Sequence, residues 1–379
     1  MINSRKKILH YVKKVVIKIG SGVLTTKDGL NLDVINALSK EICRLMENRG
    51  LEVILVSSGA IASGIKKMGF TQRPQSISQQ QAAAAIGQNS LMLAYEEVFK
   101  RFGRKVAQIL VTRDDLTNRK RYLNTRNTIF TLLNWRVIPI INENDTVVVD
   151  EIKFGDNDNL SAMVANLVEA NLVVNLTNID GFFDDDPRKN RNARLISTVE
   201  KVTSKIEIKA SSVPGSMGRG GMESKIKAAR HAAMSGIPTI IANGLKKDII
   251  KKIFEGEEEG TLFLPQSTPM RSRKHWIAFT KLPKGRIMVD RGAEDALLNK
   301  GKSLLPSGIV AVEGRFNVGN SVVIINEDEK ILAVGLVNYH STDIEKIMGC
   351  RTSEIEKTLG CKHNDEVIHK DNLVLMNNN

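Results

Sequence analysis

Cysteine is scarce in this chain of 379 residues: Cys43, Cys350 and Cys361 form no CxxC pair and have no histidine-rich partner spacing. That excludes a zinc site of ordinary ligand spacing and a disulfide framework, and it reads as a reduced, cytoplasmic protein. Long apolar runs are missing too. Lys13, Lys14 and Lys18 interrupt every candidate stretch behind Arg5, Lys6 and Lys7, so no signal peptide is expected and nothing is long enough to span a bilayer. Three familiar phosphate signatures are absent: GxxxxGK[ST], GxGxxG after the first strand, and the HRD and DFG pair. No repeat of solenoid period is visible.

What is present is ample apolar content, 42%, and a formal charge of +13. From Thr268 onward 16 basic face 14 acidic residues, so +11 of the excess belongs to residues 1–267. That balance suits an anionic substrate such as a nucleoside triphosphate, and equally a basic solvated surface. The length exceeds one ordinary domain of about 100–200 residues, which predicts a larger and a smaller one.

Strand and helix patterns alternate through the larger part. Val15–Ile19 is a β-branched strand; Asp33 then caps an amphipathic helix carrying Ile35, Leu38, Ile42 and Leu45, stopped near Gly50. The strands Val53–Val56, Val106–Thr112, Arg136–Ile141, Leu172–Thr177 and Pro238–Asn243 follow, with helices expected at Tyr122–Leu133, Leu160–Glu169 and Ser224–Ser235. This order predicts an α/β fold, a mostly parallel sheet sandwiched by helices. The alanine-rich tract from Gln81 to Phe99 reads as one more helix, its small residues allowing close packing. Pro265, Pro269, Arg271, Arg273 and Lys274 mark a linker at 265–274 between a domain at 1–264 and a mainly β module at 275–379.

The most informative stretch runs from Ile141 to Ala162. Asn142, Glu143, Asn144 and Asp145 form one amide and carboxylate cluster behind an apolar strand, and Asp156, Asn157, Asp158 and Asn159 form a second. Polar groups at the carboxyl end of such a strand sit where open α/β sheets bind ligands. Either cluster alone reads as an Asx-rich turn, whereas two together favour a site for a small charged molecule. Lys18, inside the first strand, is costly to bury without an anion, unless it snorkels from an edge. Ser57–Gly64 (SSGAIASG) and Gly215–Lys225 (GSMGRGGMESK) are glycine-rich turns ahead of helices, whose free N–H groups suit phosphates but also serve as plain connections. The run Asp184, Asp185, Asp186 before Pro187 reads as an exposed loop rather than a metal site.

Taken together, KIGSGVLT at Lys18, VSSGAIASG at Val56, INENDTV at Ile141, KFGDNDNLSA at Lys153, DGFFDDDPR at Asp180 and GRGGMESKIKAA at Gly218 resemble the glutamate 5-kinase (gamma-glutamyl kinase) family of the amino acid kinase superfamily. The last hundred residues resemble the PUA domain of its bacterial members. The resemblance implies ATP-dependent phosphorylation of the side-chain carboxylate of L-glutamate, with Mg²⁺ accompanying the nucleotide, as the first step of proline synthesis. It implies that Lys18 and Lys225 neutralise the transferring phosphoryl group while Asp158 orients both. It aligns Ser58, Asp145 and Asn157 with glutamate-binding positions, supported by Asn142 and Asp156. Lys18, Thr177 with Asn178, and Arg219, Gly220, Gly221, Met222, Glu223, Ser224 and Lys225 align with nucleotide-binding segments. It further implies proline as a feedback inhibitor, a homo-oligomer, commonly a tetramer, and a downstream glutamyl phosphate reductase. Asn178 stands where most relatives have aspartate, and Phe182-Phe183 where they have Leu-Tyr, which puts nucleotide affinity in question before the chemistry. RNA binding through the PUA-like module is the rival reading. That module is nearly neutral, with few aromatics (Trp276, Phe279, Phe316, Tyr339), so RNA is not the expected partner. A different small carboxylate or phosphate acceptor is the second rival.

Overall fold

A computed structural model of the chain describes residues 4–27, 29–147, 157–211, 221–266 and 283–376. The chain divides into two compact units, Met1–Pro269 and Met270–Asn379.

The first unit opens with α1 (Ser4–His10), β1 (Lys14–Ile19), α2 (Ser21–Leu24), the short hairpin β2 (Thr25–Thr26) and β3 (Gly29–Leu30), α3 (Leu32–Arg49) and β4 (Glu52–Ser57). Two helices, α4 (Ala60–Lys67) and α5 (Ile77–Lys100), precede β5 (Lys105–Val111); α6 (Arg113–Thr117), α7 (Arg119–Asn134) and β6 (Val137–Glu143) follow. Then come α8 (Asn157–Leu167), β7 (Leu172–Thr177), β8 (Thr198–Val199), α9 (Ser204–Ser211), α10 (Met222–Met234), β9 (Thr239–Asn243), α11 (Ile249–Glu255) and β10 (Thr261–Phe263).

These strands make an eight-stranded sheet in the order β5-β6-β4-β1-β7-β9-β10-β8. All neighbours run parallel except β10 against β9. Strands covered on both faces read as continuous apolar runs rather than alternating ones, and β1, β4 and β7 do so. The two-residue period still assigns faces. Val15, Ile17 and Ile19 of β1, with Leu172, Val174 and Leu176 of β7, join a core that includes α3, α5 and α11. Their alternates, Lys18 and Asn175, therefore point to the opposite face, where α8 packs on β1 and β7 and against α10. That parity puts a lysine and an amide under two helices.

Three boundaries differ from expectation for physical reasons. Asn31, not Asp33, caps α3, its side chain accepting from Val34 N, while Asp33 sits within the first turn where the helix dipole favours a carboxylate. The helix expected from Leu160 begins at Asn157, which makes Asn157 and Asp158 first-turn residues rather than loop residues. In the acidic run Asp184 and Asp185 are exposed as expected, whereas Asp186 is buried, accepting from the Arg188 backbone and guanidinium. The alanine-rich tract is helical and packs tightly: a Cβ on Gly87 would stand 1.8 Å from Ala60 O, and one on Gly64 1.7 Å from Ala83 O.

The second unit holds β11 (Arg286–Val289), α12 (Arg291–Leu298), β12 (Ile309–Glu313), β13 (Ser321–Ile325), β14 (Ile331–Leu336), α13 (Ser341–Ile347), α14 (Ile355–Leu359) and β15 (Leu373–Leu375). Its five-stranded sheet runs β12-β11-β13-β14-β15, with only β11 and β13 parallel. A separate core closes within it around Ile287, Val322, Ile324, Ile344 and Ile368. Phe316 and Tyr339 belong to that core, so they offer no stacking surface; Trp276 and Phe279 lie outside the described residues. Beyond Gln266 the expected linker also lies outside them. Among the described residues no helix is long and apolar enough to cross a membrane.

Candidate active site

Four elements converge on one carboxylate. Lys18 sits near the end of the central strand β1, with Val56 of β4 and Asn175 of β7 as its register partners. Asp158 projects from the first turn of α8 and Lys225 from the first turn of α10. Asp158 Oδ1 accepts from Lys18 Nζ at 2.5 Å and from Asn175 Nδ2 at 2.8 Å; Oδ2 accepts from Lys225 Nζ at 3.1 Å and from Ser224 Oγ at 2.7 Å. Both lysines are 5% exposed and the aspartate 1%. Lys18 thus does not snorkel; its counter-ion comes from the chain itself.

Burial of this kind pushes a carboxyl upward, but the charges of Lys18 and Lys225, with the hydrogen bonds from Lys18 and Ser224, overcome it and hold Asp158 far below the usual carboxylate range. It stays ionised at any working pH. Two buried ammonium groups meeting at one carboxylate concentrate positive charge where little water screens it, and such a place attracts an anion. The N-terminus of α10 is turned to the same spot. Gly221 precedes it in extended conformation with no side-chain cap, so the free N–H groups of the first turn add to the field.

Next to this group lies a neutral polar patch. The turn after β4 passes through Gly59 in the left-handed region at φ 100° and sets Ser58 beside Asn157. Asn157 Nδ2 donates to Ser57 O at 2.8 Å, Ser58 Oγ at 2.9 Å and Asn142 Oδ1 at 3.0 Å. Asn142 is buried at the end of β6, and its Nδ2 donates to Gln88 Oε1 of α5 at 2.8 Å. Asp145, two residues past β6, is half-buried; loss of water pushes its carboxyl up to about 6, against the opposing charge of Arg73. Gln80 holds the loop that carries Arg73, accepting from its guanidinium at 3.3 Å and donating to Pro74 O at 2.8 Å.

At the end of β7, Thr177 is buried and its hydroxyl faces Asn178 Oδ1 at 3.5 Å. The Asn178 amide packs over the Gly20–Gly22 turn that follows Lys18, its Cγ 3.1 Å from where a Gly22 Cβ would stand. Gly221, Met222, Glu223, Ser224 and Lys225 form the start of α10. Asp156, Arg219 and Gly220 lie outside the described residues. The structure therefore gathers Lys18, Asp158, Lys225 and Ser224 around one carboxylate, and Ser58, Asn142 and Asn157 around one amide. Sequence reasoning passed over Asn175 and Gln88. A polar residue inside the apolar run LVVNLT carried the same signal as Lys18 and would have flagged Asn175; Gln88 gave no such signal within its alanine-rich helix. Among the described residues, no group of three or more His, Cys, Asp or Glu side chains could hold a metal ion.

With this geometry in view, the comparisons with known proteins are specific. Over 373 residues the chain is 56% identical to the glutamate 5-kinase of Geobacter metallireducens, covering 98% of this chain and 100% of that protein. It is 53% identical over 376 residues to the glutamate 5-kinase of Syntrophus aciditrophicus, covering 99% and 97%. A crystal structure of the UMP kinase of Bacillus anthracis matches 68% of this chain and 97% of its own, with 17% identity and a TM-score of 0.45. Residues 285–359 match the PUA domain, and residues 13–243, which hold every described residue of the site, match the amino acid kinase family. The chain belongs to the amino acid kinase family.

Proposed function

We propose that this chain transfers the γ-phosphoryl group of ATP to the side-chain carboxylate of L-glutamate, giving L-glutamyl 5-phosphate and ADP, the first step of proline synthesis from glutamate. The observation that carries phosphoryl transfer is the buried group of two lysines on one carboxylate. The acceptor is supported by the name that the near-full-length relatives share.

The chemistry asks little covalent work of the protein. A glutamate oxygen, already ionised at neutral pH, forms a bond to the γ-phosphorus as the bond to the β,γ-bridging oxygen breaks; no proton has to move, so no general base is needed. The obstacle is repulsion between two anions. Lys18 and Lys225 lower it by placing positive charge beside the transferring group, and Asp158 keeps both ammonium groups aimed there. Ser58, its oxygen accepting from Asn157, offers its hydroxyl hydrogen to the acceptor carboxylate, while Asn157, backed by Asn142, fixes that side of the pocket. Asp145 takes the α-ammonium group. Asp156 supports this pocket by its place in the motif. Thr177, Asn178 and the segment from Arg219 to Lys225 hold the nucleotide. Mg²⁺ arriving with the nucleotide would supply further neutralisation of phosphate charge; among the described residues no cluster of carboxylates is built to hold it, so it would be held chiefly by the nucleotide. In the same reading residues 1–264 are the catalytic domain and 275–379 a PUA-like domain, joined by 265–274. The protein works in the cytoplasm as a homo-oligomer, proline is its feedback inhibitor, and a reductase consumes the labile acyl phosphate.

The test is glutamate-dependent ADP release from Mg-ATP with hydroxylamine present to trap the acyl phosphate. The wild type forms hydroxamate and Lys225→Ala loses at least about 10²-fold of that rate. ADP release that ignores glutamate would remove it as the acceptor.

A further inference from the structure

Asn175 is an amide in the middle of a strand whose every residue is buried. Its Nδ2 donates to Asp158 Oδ1, while its Oδ1 is buried and has no hydrogen-bond partner among the described residues. The orientation of the amide follows from chemistry: the group facing a carboxylate oxygen must be the NH₂. An amide with an idle, buried acceptor is costly to keep, and a leucine or valine at this position would pack the strand without that cost. Lys18 is its register partner on the neighbouring strand, and both side chains end on the same Asp158 oxygen, at 2.5 Å and 2.8 Å. The idle oxygen thus belongs to an amide whose NH₂ shares one Asp158 oxygen with the Lys18 ammonium group.

We propose that Asn175 is a positioning residue for phosphoryl transfer: its NH₂ pins Asp158 when Lys18 shifts toward the phosphoryl group, and its carbonyl oxygen receives a hydrogen from the shifted ammonium. The inference rests on the reading of Lys18, Asp158 and Lys225 as the transfer machinery. A lysine held at 2.5 Å by a buried carboxylate spends much of its field on that carboxylate. To serve an incoming phosphoryl group it has to loosen that bond without losing direction. A neutral carbonyl supplies direction without adding the negative charge that a second carboxylate at this place would bring. The amide also stops Asp158 from swinging after Lys18, because one of its oxygens keeps a donor throughout.

The chemistry of the position provides its own test. In Asn175→Asp a protonated carboxyl imitates the amide, its OH donating to Asp158 and its C=O accepting from Lys18; the ionised form repels Asp158 and neutralises a lysine. At saturating glutamate and Mg-ATP, kcat of Asn175→Asp should lie within about threefold of the wild type at the acid end of the working range. It should fall by at least about tenfold relative to wild type as pH rises, with an ionisation the wild type lacks. Asn175→Leu, which packs the strand, should remain folded by far-UV circular dichroism and lose about 30-fold or more in kcat, with each KM changed less than about threefold. The proposal is overturned if Asn175→Leu keeps kcat within threefold, if its loss sits in KM alone, or if the Asn175→Asp profile runs parallel to the wild type. Lys225→Ala separates the two levels. Should it keep hydroxamate formation, the reading of the lysines fails; should it be inactive while Asn175→Leu is active, only the role of Asn175 fails.

Discussion

Asp145 shows how one residue is held in a poor state for stability and a good one for binding. Its carboxyl goes from an ordinary 3.8 up to about 6 because protein replaces water around it. The folded state therefore grips the proton more tightly than the unfolded chain does. The stability this permits is fully present below pH 3.8 and is lost as pH rises through about 6. At pH 8 the ionised group costs the fold about 1–2 kcal/mol, after allowing for its contact with water. Asp145→Asn should accordingly raise the thermal midpoint at pH 8 and leave it nearly unchanged at pH 4, as a pair of melting curves would reveal. The same substitution removes the charge proposed to meet the substrate ammonium group, so KM for glutamate should rise about 10- to 100-fold. In the wild type that KM should climb as pH falls below about 6, where Asp145 takes up its proton. A melting point that drops at pH 8, or a KM indifferent to the substitution, would count against both statements.

At the scale of elements, α4 and α5 meet backbone to backbone, and the two glycines at the contact leave no room for a methyl group. A Cβ on Gly87 would reach within 1.8 Å of Ala60 O and 2.4 Å of Gly64 N; one on Gly64 would reach within 1.7 Å of Ala83 O. Neither glycine has positive φ, so close approach alone explains them. Gly87→Ala must push α4 off α5, at a cost of about 1–3 kcal/mol in urea unfolding. Because Ser58 and Gly59 lead directly into α4, the displacement should raise KM for glutamate more than KM for ATP; equal changes, or none, would show that the turn is not tied to this contact. Much of this level is legible in sequence. The apolar runs of β1, β4, β6 and β7 carry their strands, the alanine tract its helix, and Lys18 its burial problem. Less legible is what depends on parity and register. That Asn175 lies beside Lys18 follows only once β1 and β7 are known to be neighbours, and that Gln88 backs Asn142 follows only once α5 is known to lie against the end of β6. The start of α8 lies three residues before the apolar pattern begins, since Asn and Asp favour turns and helix first turns alike.

At the scale of the molecule, apolar burial closes separately in each unit. In the first unit one core gathers β1, β4, β7, α3, α5 and α11 and another gathers β8, β9, β10 and α10; in the second a core gathers β11, β13, β14, α12 and α13. All described residues of the proposed site fall in Met1–Pro269. A unit of this size with a closed core contains what it needs to fold by itself. Residues 1–264 expressed alone should therefore unfold cooperatively in a calorimeter and form hydroxamate from glutamate and Mg-ATP at a rate within about threefold of the full chain. Residues 275–379 alone should give their own transition and no hydroxamate. If the shorter piece unfolds cooperatively while the larger one folds but turns over at less than about a tenth of the full rate, the second unit contributes to catalysis through something other than fold stability. If the larger piece does not fold, the core of the first unit is not sufficient and the division into two independent domains is wrong.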